Sequence, residues 1–167
     1  MEIRIAGTVE DSIVDGPGLR FVVFVQGCPH HCDGCHNPET HDFSGGRLTT
    51  TDALYEMCME NPLCSGVTFS GGEPFCQPEA LYELGARFKA AGKHLMCYSG
   101  WTFEELLNKA EREEYVGKLL GILDVLVDGR FDISRRSLTL KFRGSSNQRL
   151  IDVPASLSAG SAVVLPD

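Results

Sequence analysis

Three apolar runs centred on Phe69, Met96 and Leu126 stand 27 and 30 residues apart, with stretches of helical periodicity between them. This is the cadence of repeated βα units, in which right-handed crossovers lay the strands parallel. The runs predict strands over 66–70, 94–98 and 122–127. Another strand, over 19–26 (LRFVVFVQ), precedes them. Its near-continuous β-branched and aromatic composition suits burial on both faces of a parallel sheet. Helices are predicted over 51–61, 78–91 and 102 to about 114. The second begins on Pro78 and stops before Gly92, and the third opens on the capping box Thr102 to Glu105. A closed (βα) barrel needs roughly 250 residues, and this chain has 167. The expected fold is therefore α/β and single-domain: a partial (βα) barrel, meaning an open, curved, mostly parallel sheet flanked by helices, or a small doubly wound sheet. Either places ligands at the carboxyl ends of the strands.

Outside these elements, 36–48 reads as a loop and 138–142 as a further short strand. Residues 156–167 read as a loosely ordered tail beyond a domain spanning 1–155. With 43% hydrophobic residues the chain can bury a full core. A net charge of −8 argues against nucleic acid as a partner. No apolar run is long enough to span a membrane, and MEIRIAGTVED lacks a secretory layout, so a cytoplasmic location is expected. The charge is uneven: 130–149 holds six cations (Arg130, Arg135, Arg136, Lys141, Arg143, Arg149) against Asp132 alone, a candidate docking surface.

Chemistry concentrates where the first strand ends. The run GCPHHCDGC places Cys28, Cys32 and Cys35 in one loop. Seven cysteines, three of them clustered, point to metal rather than to a disulfide framework. Three thiolates are one short of a closed tetrahedral zinc site, which His30, His31 or His36 would complete. Held by three cysteines, a 4Fe-4S cubane would instead leave one iron open. Cys58 lies on a helical apolar stripe, Cys64 and Cys97 read as buried small hydrophobes, and Cys76 falls on the site rim as a passive or redox-active thiol. Gly71, Gly72 and Glu73 follow the second strand of the series, Ser99 and Gly100 the third, and Asp128 the fourth, so all four groups should share one rim.

CxxxCxxC after a first strand resembles the signature of the radical S-adenosylmethionine (SAM) superfamily, and Gly71-Gly72-Glu73-Pro74 is similar to its GGEP motif. The segments DGPGLR (15–20), CHNP (35–38), DVLVDGRF (124–131) and RGSSNQ (143–148) resemble those of the activases of anaerobic ribonucleoside-triphosphate reductase. The resemblance covers about residues 11–150. It implies a radical SAM type fold, a 4Fe-4S cluster on Cys28, Cys32 and Cys35, and SAM with its amino and carboxylate groups on the open iron. By the same resemblance, Gly34, Cys35 and His36 border the adenine and Gly71, Gly72 and Glu73 meet the methionine end. Ser99 and Gly100 lie near the ribose, and Asp128 and Arg130 near the carboxylate end. Many members carry an aromatic residue before the third cysteine, where this chain has Gly34. The implied activity is SAM cleavage that leaves a glycyl radical on the reductase, with electrons from a low-potential donor such as flavodoxin or ferredoxin. Two other readings are a radical SAM enzyme acting on a small molecule of the pterin or deazapurine kind, and a zinc-stabilised binding module.

Overall fold

A computed structural model describes residues 1–166. The strands β1 (Glu2–Ser12), β2 (Arg20–Val25), β3 (Arg47–Thr50), β4 (Gly66–Gly71), β5 (His94–Tyr98), β6 (Val125–Asp128) and β7 (Arg149–Asp152) form one sheet in the order β3-β1-β2-β4-β5-β6-β7. The inner strands β2, β4, β5 and β6 run parallel, as the βα cadence predicts. Antiparallel strands flank them, β1 and β3 on one side and β7 on the other.

Side-chain alternation divides the sheet into two faces. Phe21, Val23, Val25, Val67, Phe69, Leu95, Cys97, Leu126 and Ile151 join the buried faces of all the helices in one core. These helices are α1 (Thr51–Met59), α2 (Pro78–Ala90), α3 (Phe103–Ala110), α4 (Glu114–Ile122) and α5 (Val153–Ala159). Each fully buried Leu, Val or Phe there contributes about 1.5–3 kcal/mol. The opposite face buries Met96, Val127 and Leu150 with Tyr98, Val125, Phe142 and Leu165, and none of these residues is helical. Helices on one face alone make this a half-barrel rather than a doubly wound sheet.

The segment 13–20 closes the floor of the inner face. Arg20 is wholly buried; its guanidinium donates to Thr68 Oγ1 (2.8 Å), Pro17 O (2.7 Å) and Val67 O (2.8 Å), and Thr68 Oγ1 donates to Asp15 O (2.8 Å). Burial holds the Arg20 pKa below the ordinary arginine value.

Several elements depart from the sequence expectations. β1 was hidden because its alternation of Ile3 and Ile5 breaks at a register shift around Gly7. β3, which overlaps the end of the expected 36–48 loop, is an edge strand with no buried side chain to reveal it. α4 takes up residue 122, so β6 starts later than the predicted strand; Val116, Leu119 and Leu120 bury a helical stripe there. Residues 138–142 form no strand: Leu138 is exposed, and Phe142 has φ +60° and accepts from Tyr98 Oη. The expected loose tail from 156 instead begins inside α5, which Asp152 caps through Ala155 N. Val164 then bridges to Ile151, and Leu165 N donates to Leu150 O (2.7 Å). Residue 167 of that tail lies outside the described residues.

Candidate functional site

The parallel strands end on one rim, where their loops wall a cavity of about 510 Å³. Cys28, Cys32 and Cys35 line it from the loop after β2, Gly71 and Gly72 from the turn after β4, and Ser99 and Gly100 from the turn after β5. The cysteine loop is pinned at both ends: Gly27 N donates to Thr40 O (2.7 Å) and Cys28 N to His41 O (3.1 Å). Within it, Cys35 N donates to Cys32 O (3.1 Å), and Asn37 N reaches Cys35 Sγ (3.4 Å). Burial pushes the Cys28 and Cys32 thiols above the ordinary range. Iron ligation would deprotonate such thiols outright.

The GGEP turn lies directly on the cysteine loop. Gly72 N donates to Val25 O (2.9 Å) and Glu73 N to Gly27 O (2.8 Å). A Cβ on Gly71 would stand 2.6 Å from the Val25 backbone, and one on Gly72 would stand 2.3 Å from Gly27 O. Glycine is required at both positions by a backbone neighbour.

Glu73 departs from its expected place. It is 0% exposed and does not line the cavity. Its carboxylate accepts from Gly100 N (2.7 Å), Ser99 Oγ (3.0 Å to each oxygen) and Phe75 N (3.0 Å), and meets His30 Nε2 at 2.7 Å. Gly71 and Gly72 therefore face the cavity without it, while the Glu73 side chain knots three loops together.

Asp128, also fully buried, likewise stands behind the wall. It accepts from Phe103 N (2.7 Å) at the start of α3 and from Arg149 Nε (3.0 Å) and Nη2 (2.5 Å). Arg130 is exposed outside the lining and donates from Nε to His30 Nδ1 (3.2 Å). Gly34 has φ +71°, and a Cβ there would lie 2.5 Å from Ile133 Cδ1, which accounts for the missing aromatic residue. His36 does line the cavity, edge-on to Phe131 at 5.1 Å.

The lining also includes Phe24, Tyr98, Phe131, Phe142, Gly144 and Gln148, to which sequence reasoning gave no site role. Their only advance signal was position, in or at the end of an expected strand or within the DVLVDGRF and RGSSNQ runs. Cys76 is half-buried outside the lining, its thiol pushed up to about 12 chiefly by burial and then by Glu73. Cys58 and Cys64 are buried with sulfurs 3.7 Å apart, and Cys97 is buried in the core, as expected.

The donor set fits a cluster with a small-molecule cofactor: three free thiols border one cavity beside turns whose glycines leave the backbone bare. The histidines proposed for zinc are engaged elsewhere, His30 by Glu73 and Arg130, His31 edge-on to His41, and His36 on Phe131. Among the described residues, no three His, Cys, Asp or Glu side chains close on a single-ion site.

A family model described as a 4Fe-4S single cluster domain matches residues 14–151. The chain is 34% identical over 146 residues to the anaerobic ribonucleoside-triphosphate reductase-activating protein of Enterobacteria phage T4, covering 82% of this chain and 86% of that one. Its identity to the protein of the same name from Vibrio cholerae is 33% over 150 residues, covering 81% and 89%. The pyruvate formate-lyase-activating enzyme of Clostridium pasteurianum is 38% identical over 117 residues, 65% of this chain and 49% of that enzyme. Among solved structures, QueE from Escherichia coli shares the fold, with TM-score 0.50 and 15% identity over 60% of this chain and 53% of that one. By these matches the chain belongs to the anaerobic ribonucleoside-triphosphate reductase-activating protein family of radical SAM enzymes.

Proposed function

We propose that this chain generates a glycyl radical on anaerobic ribonucleoside-triphosphate reductase, using a 4Fe-4S cluster and SAM. One observation carries the reading: three free cysteine thiols and two glycine-bearing turns meet on a single cavity at the carboxyl ends of parallel strands. Cys28, Cys32 and Cys35 would hold the cluster and leave one iron without a protein ligand. When bound, the reduced cluster would supply the electron for cleavage of a carbon–sulfur bond of SAM, the chemistry by which hydrogen would be taken from the partner's glycine.

The chain's own residues bind, orient and shield. The carbonyls of Gly71 and Gly72 would accept from the SAM ammonium group, Ser99 and Gly100 would border the ribose, and His36 would border the adenine, with Gly34 outside the lining next to Cys35. Asp128 serves indirectly by fixing the first turn of α3 and Arg149, and Arg130 by holding His30. Phe24, Tyr98, Phe131 and Phe142 line the cavity with apolar surface, which keeps water from a reactive radical.

The basic segment 130–149 adjoins the cavity through Phe131 and Phe142, and Arg130, Arg135, Arg136 and Lys141 are exposed on it. This is the docking surface for the reductase in our reading. A low-potential donor such as flavodoxin or ferredoxin supplies the electron. We assign the activity to the cytoplasm, where a chain with seven free cysteines stays reduced. No helix among the described residues is long and apolar enough to cross a membrane, and neither membrane nor nucleic acid has a role in this mechanism.

The test is electron paramagnetic resonance of the cluster-loaded, reduced chain incubated anaerobically with SAM and the reductase. A glycyl doublet on the reductase is expected. SAM cleavage without that doublet would overturn the partner and leave a small-molecule substrate as the reading.

A further inference from the structure

We infer that His30, which no ligand role accounts for, is a positioning residue that sets the cysteine loop against the SAM-binding turns; this rests on the function proposed above. It stands between two cluster cysteines, and its side chain is only 4% exposed. Each of its ring nitrogens has one partner. Arg130 Nε–H can only donate, so the His30 Nδ1 it meets at 3.2 Å is an acceptor and carries no proton. The ring proton therefore sits on Nε2 and is donated to Glu73 Oε1 at 2.7 Å. The two bonds, one on each ring nitrogen, fix the ring's orientation.

Packing leaves it no second position. Trp101 meets the ring edge-on at 4.8 Å, and Gly100 lies so close that a Cβ there would be 2.4 Å from the imidazole. Glu73 in turn accepts from Ser99 Oγ, Gly100 N and Phe75 N. One imidazole thus joins the loop that carries the cysteines, the GGEP turn and the Ser99–Gly100 turn, with Arg130 on the fourth. The cluster ligands and the SAM-binding backbone belong to different loops, and this joint sets their separation together with the backbone bond from Glu73 N to Gly27 O. Removing an outer partner of this sort typically costs on the order of 10- to 100-fold in affinity or activity.

Two substitutions separate the joint from ring packing. His30→Gln keeps a donor for Glu73 and an acceptor for Arg130 without a ring; His30→Phe keeps the ring without either bond. Both leave the three cysteines in place, and iron content should match the parent chain. SAM affinity of the oxidised, cluster-loaded protein is measured by equilibrium dialysis, and the change SAM causes in the paramagnetic resonance spectrum of the reduced cluster is recorded alongside. His30→Phe is expected to weaken SAM binding about tenfold or more and to blunt the spectral change, while His30→Gln stays near the parent on both. Parent-like SAM binding in His30→Phe overturns the inference, as does a tenfold loss in His30→Gln, which decides the matter even if His30→Phe fails to fold. Loss of iron from both would assign His30 to the cluster loop alone and overturn it too. Failure of the parent chain to bind SAM would instead remove the function on which the inference rests.

Discussion

Gly72→Ala is a sharp test of how the site is built. The added Cβ would lie 2.3 Å from Gly27 O, 2.8 Å from Gly27 C and 2.9 Å from Thr40 O. All three atoms are backbone in the cysteine loop, so no side chain can rotate away. Relief requires the GGEP turn to lift from that loop, stretching the bond from Glu73 N to Gly27 O. Overpacking of this kind costs about 1–3 kcal/mol, and the weakened hydrogen bond adds about 1 kcal/mol. Alanine's smaller unfolded-state entropy offsets about 0.4–1 kcal/mol. The net, about 1–3.6 kcal/mol, corresponds to a Tm drop of roughly 2–14 °C for a chain this size. The assay is a thermal melt of the apo chain followed by far-ultraviolet circular dichroism. Gly121→Ala is the control: nothing lies within 4 Å of its Cβ in α4, so it should gain about 0.5–1 kcal/mol. A Gly72→Ala melt within a degree of the parent, or an equal fall in the control, would refute the loop-on-loop argument.

Cys32→Ala should lose the cluster and all SAM cleavage, read by iron content and 5′-deoxyadenosine formation; retained cleavage would show that the ligand assignment is wrong. Arg149→Met leaves the buried Asp128 carboxylate with Phe103 N alone, and should cost about 2–4 kcal/mol by urea unfolding. An unfolding free energy unchanged from that of the parent chain would mean that the pair carries no weight. Burial, then Arg20, holds the His94 pKa below its ordinary 6.5. Below that pH the unfolded chain binds the extra proton and the folded chain resists it, so stability is full above 6.5 and is lost as pH falls toward the folded value. The apo Tm should therefore drop between about pH 7.5 and 5.5, and His94→Gln should flatten that slope; parallel slopes would exclude His94 as the cause. Arg135→Glu combined with Arg136→Glu should weaken binding to the reductase and reduce its salt dependence, measured by calorimetry at two ionic strengths; unchanged affinity would remove 130–149 as the docking surface.

The parallel half of the fold was legible because its strands and helices carry their own periods and their own start and stop signals, such as Pro78 and Gly92 around α2 and the Thr102 cap of α3. The cavity-lining cysteines and glycines were legible for a related reason: their chemistry lies in residue type, and the βα cadence puts every strand's end on one rim. What could not be read depends on partners distant in sequence. β7 has four residues, and only antiparallel pairing to β6 makes it a strand. Leu140 and Phe142 show a strand's alternation, yet they turn onto the cavity, tied by Tyr98 Oη to Phe142 O. His30 is indistinguishable from a zinc ligand until Glu73 and Arg130 are seen on its two nitrogens.

The charged residues of the motifs take on a different part once their neighbours are counted. Glu73 and Asp128 are both fully buried, both meet several donors, and neither lines the cavity. A buried carboxylate left short of donors costs several kcal/mol, so each holds its loop to the groups that satisfy it. Glu73 draws together the turn after β4, the turn after β5 and the cysteine loop through His30. Asp128 draws together the end of β6, the start of α3 and β7 through Arg149. The wall they leave facing the cavity is largely backbone at Gly71, Gly72, Gly100 and Gly129. Backbone held in this way cannot reorient as a charged side chain can. Sequence motifs that look like ligand contacts are therefore, at these two acids, internal braces standing behind cavity-lining glycines.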